Sequence, residues 1–181
     1  MESCLSVIVL GAAFSQGDYS DSFVYTEKRK EMIEKINGIG DVVAKRVKDD
    51  GYKVRTIKGF GGKWVDGVQY GAISLKHAAE IAGLGIIGKN YLLLNPKYGN
   101  LLWFSAVLTD AYLIPDKKAG FSVCNNCNKC VTMCPSKALC SPSRFGKKEC
   151  MGMFFKMIDR KWLVNCFSCR KVCPYCFGIK N

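Results

Sequence analysis

The cysteine spacing in the last third of the chain is the sequence feature that most constrains its fold. The stretch "CNNCNKCVTMCP" places Cys124, Cys127, Cys130 and Cys134 at the spacing C-x2-C-x2-C-x3-C-P. Three thiolates at this spacing can hold three corners of one iron–sulfur cubane, while the fourth leaves on a helical turn toward a neighbouring cluster. Zinc sites usually group their cysteines in two separated pairs. The spacing therefore predicts a small bacterial-ferredoxin-like module with two [4Fe–4S] clusters.

A second run, "NCFSCRKVCPYC", repeats this spacing with its first ligand missing. Cys166, Cys169 and Cys173 match the last three cysteines of the first run, but Leu163 stands where the first would be. Because the last cysteine of each run serves the other cluster, Cys173 is predicted to complete the first cluster. The second cluster, which takes Cys134 from the first run, is then one ligand short.

Three cysteines could supply this ligand: Cys140, Cys150 and Cys176. Cys176 follows the Cys-Pro pair on the side of the chain that runs toward the first cluster, so it is poorly placed. Cys140 follows Cys134 closely and is interpreted as a packed or free thiol. Cys150 opens the helix-like "CMGMFFKMI", where a thiolate would gain from the positive end of the helix dipole. Spacing favours Cys150 without excluding the others.

The remaining composition fits a protein of the reducing cytoplasm. Ten of the eleven cysteines lie after residue 120, with Cys4 as the exception. The N-terminal "LSVIVLGAAF" lacks a positive region before it, so it predicts a buried strand and not a secretory signal. No apolar stretch has the length needed to span a bilayer, so no membrane association is expected. In a reducing compartment clustered cysteines indicate metal or redox use and not disulfides.

Positive charge is concentrated in the same part of the chain as the cysteines. Of the formal net charge of +12, residues 121–181 carry +9, from 11 Lys and Arg against two acids. Basic residues could compensate the negative charge of two thiolate-ligated clusters. They could also form a surface for a nucleic acid or for another acidic partner. The two interpretations are compatible.

Strands and helices are predicted to alternate in the first part of the chain. "CLSVIVLG" and "YKVRTIK" read as strands. A helix is predicted from Thr26, as N-cap, to Asp50, with an interruption at "NGIG". Ser74 is predicted to cap a shorter helix in "SLKHAAEIAG". "NYLLLN" and "LLWFSAVL", on either side of "PKYG", predict an antiparallel hairpin. The segment from Thr109 to Ser122 is the expected domain boundary.

Several other motifs have ordinary structural interpretations. "GLGIIG" matches the dinucleotide-binding pattern, but it follows a predicted helix where that motif needs a strand, so a tight turn is expected. His77, the only histidine, is expected to be a solvated or hydrogen-bonded helix residue. The glycines of "GFGGK" could contact a phosphate, although a flexible turn is the default. Trp64, Trp103 and Trp162 are expected to pack in the core or at a domain interface.

The stretch "AGLGIIGKNYLLLNPKYGNLLWFSAVLTD", followed by "CNNCNKCVTMCPSKAL", resembles the epoxyqueuosine reductases, iron–sulfur proteins similar to the reductive dehalogenases. In that family the distant ligand of the second cluster lies at a position similar to "KKECMGMF", which implies Cys150. The ligand sets that follow are Cys124, Cys127, Cys130 and Cys173 for cluster 1, and Cys134, Cys150, Cys166 and Cys169 for cluster 2.

The resemblance implies an α/β (α+β) fold in two domains. Residues 1–115 would form a nitroreductase-like, corrinoid-reductase-like domain, shortened at its N terminus, and residues 116–181 a ferredoxin-like two-cluster domain. The implied activity is that of a cytoplasmic oxidoreductase that passes single electrons from a ferredoxin- or flavodoxin-type donor through the clusters to a bound cobalamin. In characterised members the substrate is a modified tRNA base. The corrinoid contacts expected in this chain are Gly83, Gly85, Gly88, Lys89 and Asn90.

One departure from the family pattern supports a second hypothesis. Where the family places a proton-donating aspartate, this chain has Gln69, and the nearby Asp66 is interpreted as a solvated loop residue. The expected short N terminus and the expected absence of the helical-repeat domain of many tRNA-acting members point the same way. The alternative is a ferredoxin-type electron-transfer module or subunit with no substrate of its own and no corrinoid.

Overall fold

The computed structural model describes residues 3–19, 21–140 and 145–179 of the chain. Its helices and strands follow one another in a mixed α/β order that agrees with the predicted fold class. In chain order they are β1 (Ser6–Ala13), α1 (Ser22–Asp49), β2 (Val54–Ile57), β3 (Lys63–Val65), β4 (Val68–Tyr70), α2 (Leu75–Ile81), β5 (Ile86–Ile87), β6 (Leu93–Leu94), β7 (Leu102–Thr109), α3 (Lys129–Thr132), α4 (Lys147–Phe154), β8 (Phe155–Ile158), β9 (Lys161–Val164) and α5 (Ser168–Lys171). A short 3-10 helix, Gln16–Tyr19, precedes α1.

The strand β7 is the centre of a three-stranded antiparallel sheet and is covered on both faces. Its neighbours are β1 and β2, with Ser6 opposite Thr109 and Ile57 opposite Ala106. On one face the Ser105 hydroxyl donates to the Ile36 carbonyl of α1 at 3.1 Å. On the other face, Ala79 of α2 joins a buried apolar cluster with residues of β7. Burial on both faces explains why β7 is a nearly continuous apolar run.

The predicted hairpin between "NYLLLN" and "LLWFSAVL" is wrong. β6 pairs with β5, and β7 pairs with β1 and β2 in a different sheet. The "PKYG" turn does form, since Asn95 and Gly99 make an isolated antiparallel bridge. A strand as apolar as β7 is more stable between two partners in the core than in a local hairpin, because both of its faces are then removed from water.

The helix α1 begins earlier than predicted and is not interrupted. Asp21 is its N-cap, with its carboxylate accepting the backbone N–H groups of Phe23 and Val24 at 2.8 and 3.0 Å. "NGIG" remains helical, and Gly40 lies where a Cβ would come 3.4 Å from the Ser105 hydroxyl. This glycine therefore allows close packing of α1 on β7 and does not break the helix. The helix ends at Asp49, before Gly51 in the left-handed region.

Both predicted domains contribute to one hydrophobic core. Phe14, Tyr25 and Leu101 of the first part pack with Val164 and Phe167 of the cysteine-rich part. Residues 110–128 contain no helix or strand, and the division at residue 115 stays a prediction. The shared core means that the cysteine-rich part is held firmly against α1 and the sheet.

A buried hydrogen bond reinforces this shared core. The Thr26 hydroxyl accepts the Val164 N–H at 2.8 Å and donates to the Ser22 carbonyl at 2.6 Å. Thr26, predicted as a helix cap, therefore serves a tertiary contact between α1 and β9. None of the helices in the described ranges has the length and apolar character that crossing a bilayer requires.

Candidate metal centres and adjoining cleft

The four cysteines predicted for cluster 1 surround one small cavity. Cys124, Cys127, Cys130 and Cys173 all line it, together with Asn90, Lys129 and the Pro174–Tyr175 pair. The loop that presents the first two cysteines is turned by left-handed backbone at Cys124 (φ +66°) and Asn126 (φ +53°). Cys130 lies on α3, and Cys173 follows α5. The two short helices contact each other, which brings the two cysteine runs together.

The four cysteines predicted for cluster 2 are also close enough to influence each other's ionisation. Burial, together with the neighbouring thiols of Cys166 and Cys134, raises the pKa of Cys150 to about 11. Burial likewise raises the pKa of Cys169 to about 12, to which Cys150 and Cys166 contribute. Thiols that repel one another's charge in a dry site need a bound cation or a metal cluster to become thiolates.

Hydrogen bonds around Cys134 favour its thiolate form. Burial alone would raise the pKa of Cys134, but the Ser136 hydroxyl and the backbone N–H groups of Ser136, Ala138 and Leu139 outweigh burial and lower it. Donors directed at sulfur are one of the devices by which proteins tune iron–sulfur centres. This donor set fits a thiolate-ligated cluster, and the ligand assignment as a whole stays a prediction.

The spacing between these thiols does not suit a single ion. Throughout residues 3–19, 21–140 and 145–179, no group of three or more His, Cys, Asp or Glu is placed to hold one metal ion. A mononuclear zinc site draws four sulfurs to within about 2.3 Å of one ion, whereas each thiolate of a cubane binds a different iron. The lack of a single-ion site therefore does not argue against a cubane at these cysteines.

Cys150 does not open a helix as expected. It lies in the middle of α4, and its N–H donates to the Gly146 carbonyl at 2.9 Å. Cys150 is therefore not at a helix N terminus, and its N–H is already engaged inside the helix. The position of Cys150 is explained by α4 packing beside the second cysteine run.

The other three cysteines differ in burial. Cys4 and Cys140 are exposed. Cys176 is 3% exposed, belongs to the shared core and donates to the Asn100 side-chain oxygen at 3.6 Å. None of these three lines the cavity around Cys124.

The residues predicted to contact a corrinoid pack against the chain itself. A Cβ at Gly83 would meet the Lys117 carbonyl, and one at Gly85 the Leu94 carbonyl. At Gly88 a Cβ would come 2.7 Å from a Leu94 methyl group. The glycines of "GLGIIG" thus form the expected tight turn, in close contact with their own protein.

The two polar residues after this turn hold the cysteine loops. The Lys89 ammonium donates to the Cys127 carbonyl at 3.0 Å and to the Asn128 side chain at 2.9 Å. The Asn90 amide donates to the Cys169 carbonyl at 3.4 Å. Both contacts lie on the cysteine side of the molecule, and neither side chain lines the cleft described next.

A cleft of two adjoining cavities lies between α1, the β3–β4 hairpin and α4. The first, the polar cavity, has a volume of about 550 Å³ and is bordered by the Gly59–Gly62 turn and Gln69. Four cationic side chains line it, and none of its lining residues is acidic. These cations are Arg29, Arg55, Lys58 and Lys147.

The second cavity, the aromatic cavity, has a volume of about 810 Å³ and is lined by Phe60, Trp64, Phe155 and Trp162. Trp64 and Trp162 are 55% and 60% exposed, so neither packs in the core; both line this cavity, Trp64 from the first predicted domain and Trp162 from the second. Trp103 is partly buried against the shared core, as expected. The exposed rings leave an open apolar face on the cleft.

Arg29 lies where the two cavities meet and is the residue that sequence reasoning missed. Its guanidinium carbon is 4.6 Å from the ring centroids of both Phe60 and Trp103, and 5.5 Å from that of Phe155. The side chain is 5% exposed, and burial lowers its pKa to about 10, so it stays protonated at neutral pH. No local pattern marks Arg29, because its aromatic neighbours come from three distant segments.

The cleft lies directly beside the second cysteine group. The helix α4 carries Cys150, and two other residues of the same helix, Lys147 and Met151, line the polar cavity. The Lys147 ammonium donates to the Gln69 carbonyl at 2.6 Å and lies 4.1 Å from the Tyr70 ring centroid. The helix α4 thus contributes to the lining of the cleft and also carries one of the cysteines predicted for cluster 2.

Two other candidate residues lie where the sequence predicts. His77 is exposed on α2, with its Nδ1 2.6 Å from the Ser74 hydroxyl, which confirms a hydrogen-bonded helix residue. Asp66 is exposed at the tip of the β3–β4 hairpin with φ +49° and does not line the cleft. The polar cavity thus has an amide, Gln69, but no carboxylic acid on its lining.

Sequence comparison confirms the resemblance to epoxyqueuosine reductases. The chain is 33% identical over 118 residues to the enzyme of that name from Listeria monocytogenes and covers 31% of it. It is 27% identical to the one from Lactococcus garvieae over 184 residues, which include 93% of this chain and 46% of the relative. The chain thus spans 31% to 46% of the length of these two curated relatives. No protein-family profile matches it.

Solved structures of the same name share the fold. An epoxyqueuosine reductase from Streptococcus thermophilus superposes with a TM-score of 0.67 at 20% identity, covering all of this chain and 52% of that protein. Another, solved with an epoxyqueuosine-modified tRNA-Tyr stem loop, gives a TM-score of 0.64 at 20% identity and covers 95% of this chain. The mixed α/β fold predicted from the sequence is confirmed.

Proposed function

We propose that this chain, similar in sequence and fold to epoxyqueuosine reductases, is an iron–sulfur oxidoreductase whose electrons reach the cleft through two [4Fe–4S] clusters. The observation that carries the proposal is α4, which presents Cys150 to the second cysteine group and Lys147 and Met151 to the cleft. The clusters would supply single electrons at low potential. Cluster 2 would be the one that faces the ligand.

The proposed roles of the side chains follow from their positions. Cys124, Cys127, Cys130 and Cys173 would hold cluster 1, and Cys134, Cys150, Cys166 and Cys169 cluster 2. Lys89 and Asn90 fix the cysteine loops through the carbonyls of Cys127 and Cys169. The phenyl and indole rings of the aromatic cavity would exclude water from an apolar ligand. The reducing cytoplasm is the proposed compartment, because cluster thiolates must stay reduced.

The cleft, and not the Gly83–Asn90 segment, is the better location for a corrinoid. The cleft is open, apolar on one side and next to Cys150. In the glycine segment, by contrast, the space beside the glycines is already occupied by Lys117 and Leu94. A bound corrinoid would supply a reduced cobalt centre for the reaction with the substrate. Gln69 could donate a hydrogen bond there but could not donate a proton, so a protonation step would need another donor, such as the Lys147 ammonium on the same lining, or water.

Partners are part of the proposal. A ferredoxin- or flavodoxin-type donor would reduce cluster 1. A tRNA partner is supported by the neighbour solved with a tRNA stem loop and by the +9 charge of residues 121–181. Phosphate contacts of such a basic surface make binding depend on salt.

The second candidate function is an electron-transfer module without substrate or corrinoid. The absence of acidic residues on the lining of the polar cavity favours it, because the family pattern has an aspartate where Gln69 stands. One experiment separates the two. The protein is purified anaerobically and reconstituted, hydroxocobalamin is added, and the corrinoid spectrum is followed on reduction. No binding at micromolar protein would leave the electron carrier.

Iron and acid-labile sulfide analysis tests the cluster proposal itself. About eight irons per chain are expected of two cubanes. A clearly lower content in fully reconstituted protein would contradict it.

A further inference from the structure

The lining of the polar cavity carries positive charge only. Four cations line it and no lining residue is acidic. Arg29 is buried and Arg55 and Lys58 are exposed, and no carboxylate on the lining offsets their positive charge. Such a cavity favours an anionic occupant.

Arg29 adds an unsatisfied donor at the end of this cavity. Its Nε is buried and has no hydrogen-bond acceptor, and no carboxylate in the described part of the chain forms an ion pair with it. The rings of Phe60, Trp103 and Phe155 stabilise the cation but accept no N–H in the guanidinium plane. A buried charged donor without an acceptor is costly, so its position indicates a ligand group that accepts from it.

From these contacts we infer that the cleft binds a phosphate group through Arg29, with an aromatic or other flat apolar part of the same ligand against Phe60, Trp64 and Trp162. A phosphate carries up to two negative charges and three acceptor oxygens, which suits several cations better than a single carboxylate does. The inference deepens the proposed function, because it names the ligand class of the same cleft.

The glycine-rich turn beside Arg29 is consistent with such a ligand. Gly61 and Gly62 have φ values of +143° and +121°, and a Cβ at Gly61 would point into open space. The turn is anchored at Gly59, whose N–H donates to the Asn37 side chain at 2.8 Å and whose carbonyl accepts from the indole N–H of Trp103 at 2.7 Å. The "GFGGK" motif therefore borders the cavity with backbone that a ligand can approach closely.

The test compares the wild-type protein with the Arg29→Met variant, using Arg46→Met as the control. Arg46 lies on the same helix, is exposed and pairs only with Asp50 at 3.2 Å. The probes are inorganic phosphate, phenyl phosphate and hydroxocobalamin, which carries a phosphodiester. Binding is measured by the rise in unfolding temperature and by tryptophan fluorescence or, for the coloured corrinoid, equilibrium dialysis.

Phenyl phosphate or hydroxocobalamin should bind wild type and Arg46→Met equally, and Arg29→Met about tenfold more weakly, as the loss of a charge-assisted hydrogen bond implies. If only phenyl phosphate binds in an Arg29-dependent way, the ligand is an aromatic phosphate ester; if only hydroxocobalamin does, the phosphate is that of a corrinoid. Equal binding to Arg29→Met, or no binding of any probe to wild type at millimolar concentration, would overturn the inference.

Two further measurements keep the result interpretable. Without ligand, Arg29→Met should unfold at the same or a higher temperature than wild type, since replacing a buried charge by an apolar side chain of similar size is often neutral or stabilising. If that variant does not fold, Arg29→Lys keeps the charge but loses the planar fork, and it should still bind phenyl phosphate more weakly. Iron analysis of the same samples reports on the clusters separately, so either proposal can fail alone.

Discussion

At the scale of single residues, the identity of the missing ligand is the most direct question. Replacing Cys150 by Ala should remove cluster 2 and about half of the bound iron, because its thiol stands with Cys134, Cys166 and Cys169. Replacing the exposed Cys140 by Ala is the control and should keep all the iron. Iron content and the EPR signals of the reduced protein measure both. Full iron in the Cys150 variant would show that another residue is the ligand.

Thr26 is a second residue with a separable role. In Thr26→Val the buried Val164 N–H loses its acceptor, and the free energy of unfolding should fall by about 1–3 kcal/mol. Thr132→Val is the matched control, since the Thr132 hydroxyl bonds only the Asn128 carbonyl on an exposed surface. Denaturant titrations of both variants give the comparison. An equal fall in the free energy of unfolding of both variants would mean that the hydrogen bond between α1 and β9 contributes no more than an exposed one.

The cysteine residues also show what a sequence can predict at this scale. The grouping of Cys124, Cys127 and Cys130 follows from local spacing, since two intervening residues fix how far apart neighbouring thiols can be. The capping of α1 was predicted less well. Asp21 and Thr26 are both good cap residues, and only the tertiary bond to Val164 decides that Thr26 is used elsewhere.

At the scale of elements, two glycines provide a matched pair. Gly99 has φ +60°, and a Cβ there would collide with the carbonyls of Tyr175 and Cys176. Gly99→Ala should lower the free energy of unfolding by more than about 1 kcal/mol, because strain and collision add. Gly38→Ala, at an exposed helical position with nothing within 4 Å, should raise it by about 0.5–1 kcal/mol. The unfolding temperatures of both variants test whether the close packing of Gly99 on Tyr175 and Cys176 stabilises the protein.

The elements that were mispredicted are those whose partners lie far away in sequence. β7 looked like half of a hairpin because "PKYG" precedes it, but its partners are β1, almost a hundred residues earlier, and β2. Hydrophobic pattern identifies a strand and gives no information about which strand it joins. The cleft has the same origin, since its lining comes from α1, the Gly59–Gly62 turn, the β3–β4 hairpin, α4 and β9.

At the scale of the whole molecule, removing the clusters should loosen more than the cysteine loops. Val164 and Phe167 adjoin the second cysteine run and pack on Phe14 and Tyr25. Metal binding that organises the run is linked to folding, so chelating the iron should lower the unfolding temperature of α1 and the sheet as well. Far-ultraviolet circular dichroism during heating, with and without a chelator, measures this. An unchanged helix transition in the iron-free protein would mean that the two parts fold independently.

The position of α4 would couple ligand binding in the cleft to reduction of the proposed metal centre. The helix lines the cleft and carries Cys150 within two turns, so a ligand that displaces it or adds charge beside it would change the reduction potential of the proposed cluster 2. Thermodynamic reciprocity then requires that reducing the cluster change the affinity for the ligand by the same factor. Through this eight-residue helix, the reduction potential of the proposed cluster would depend on whether the cleft holds a ligand.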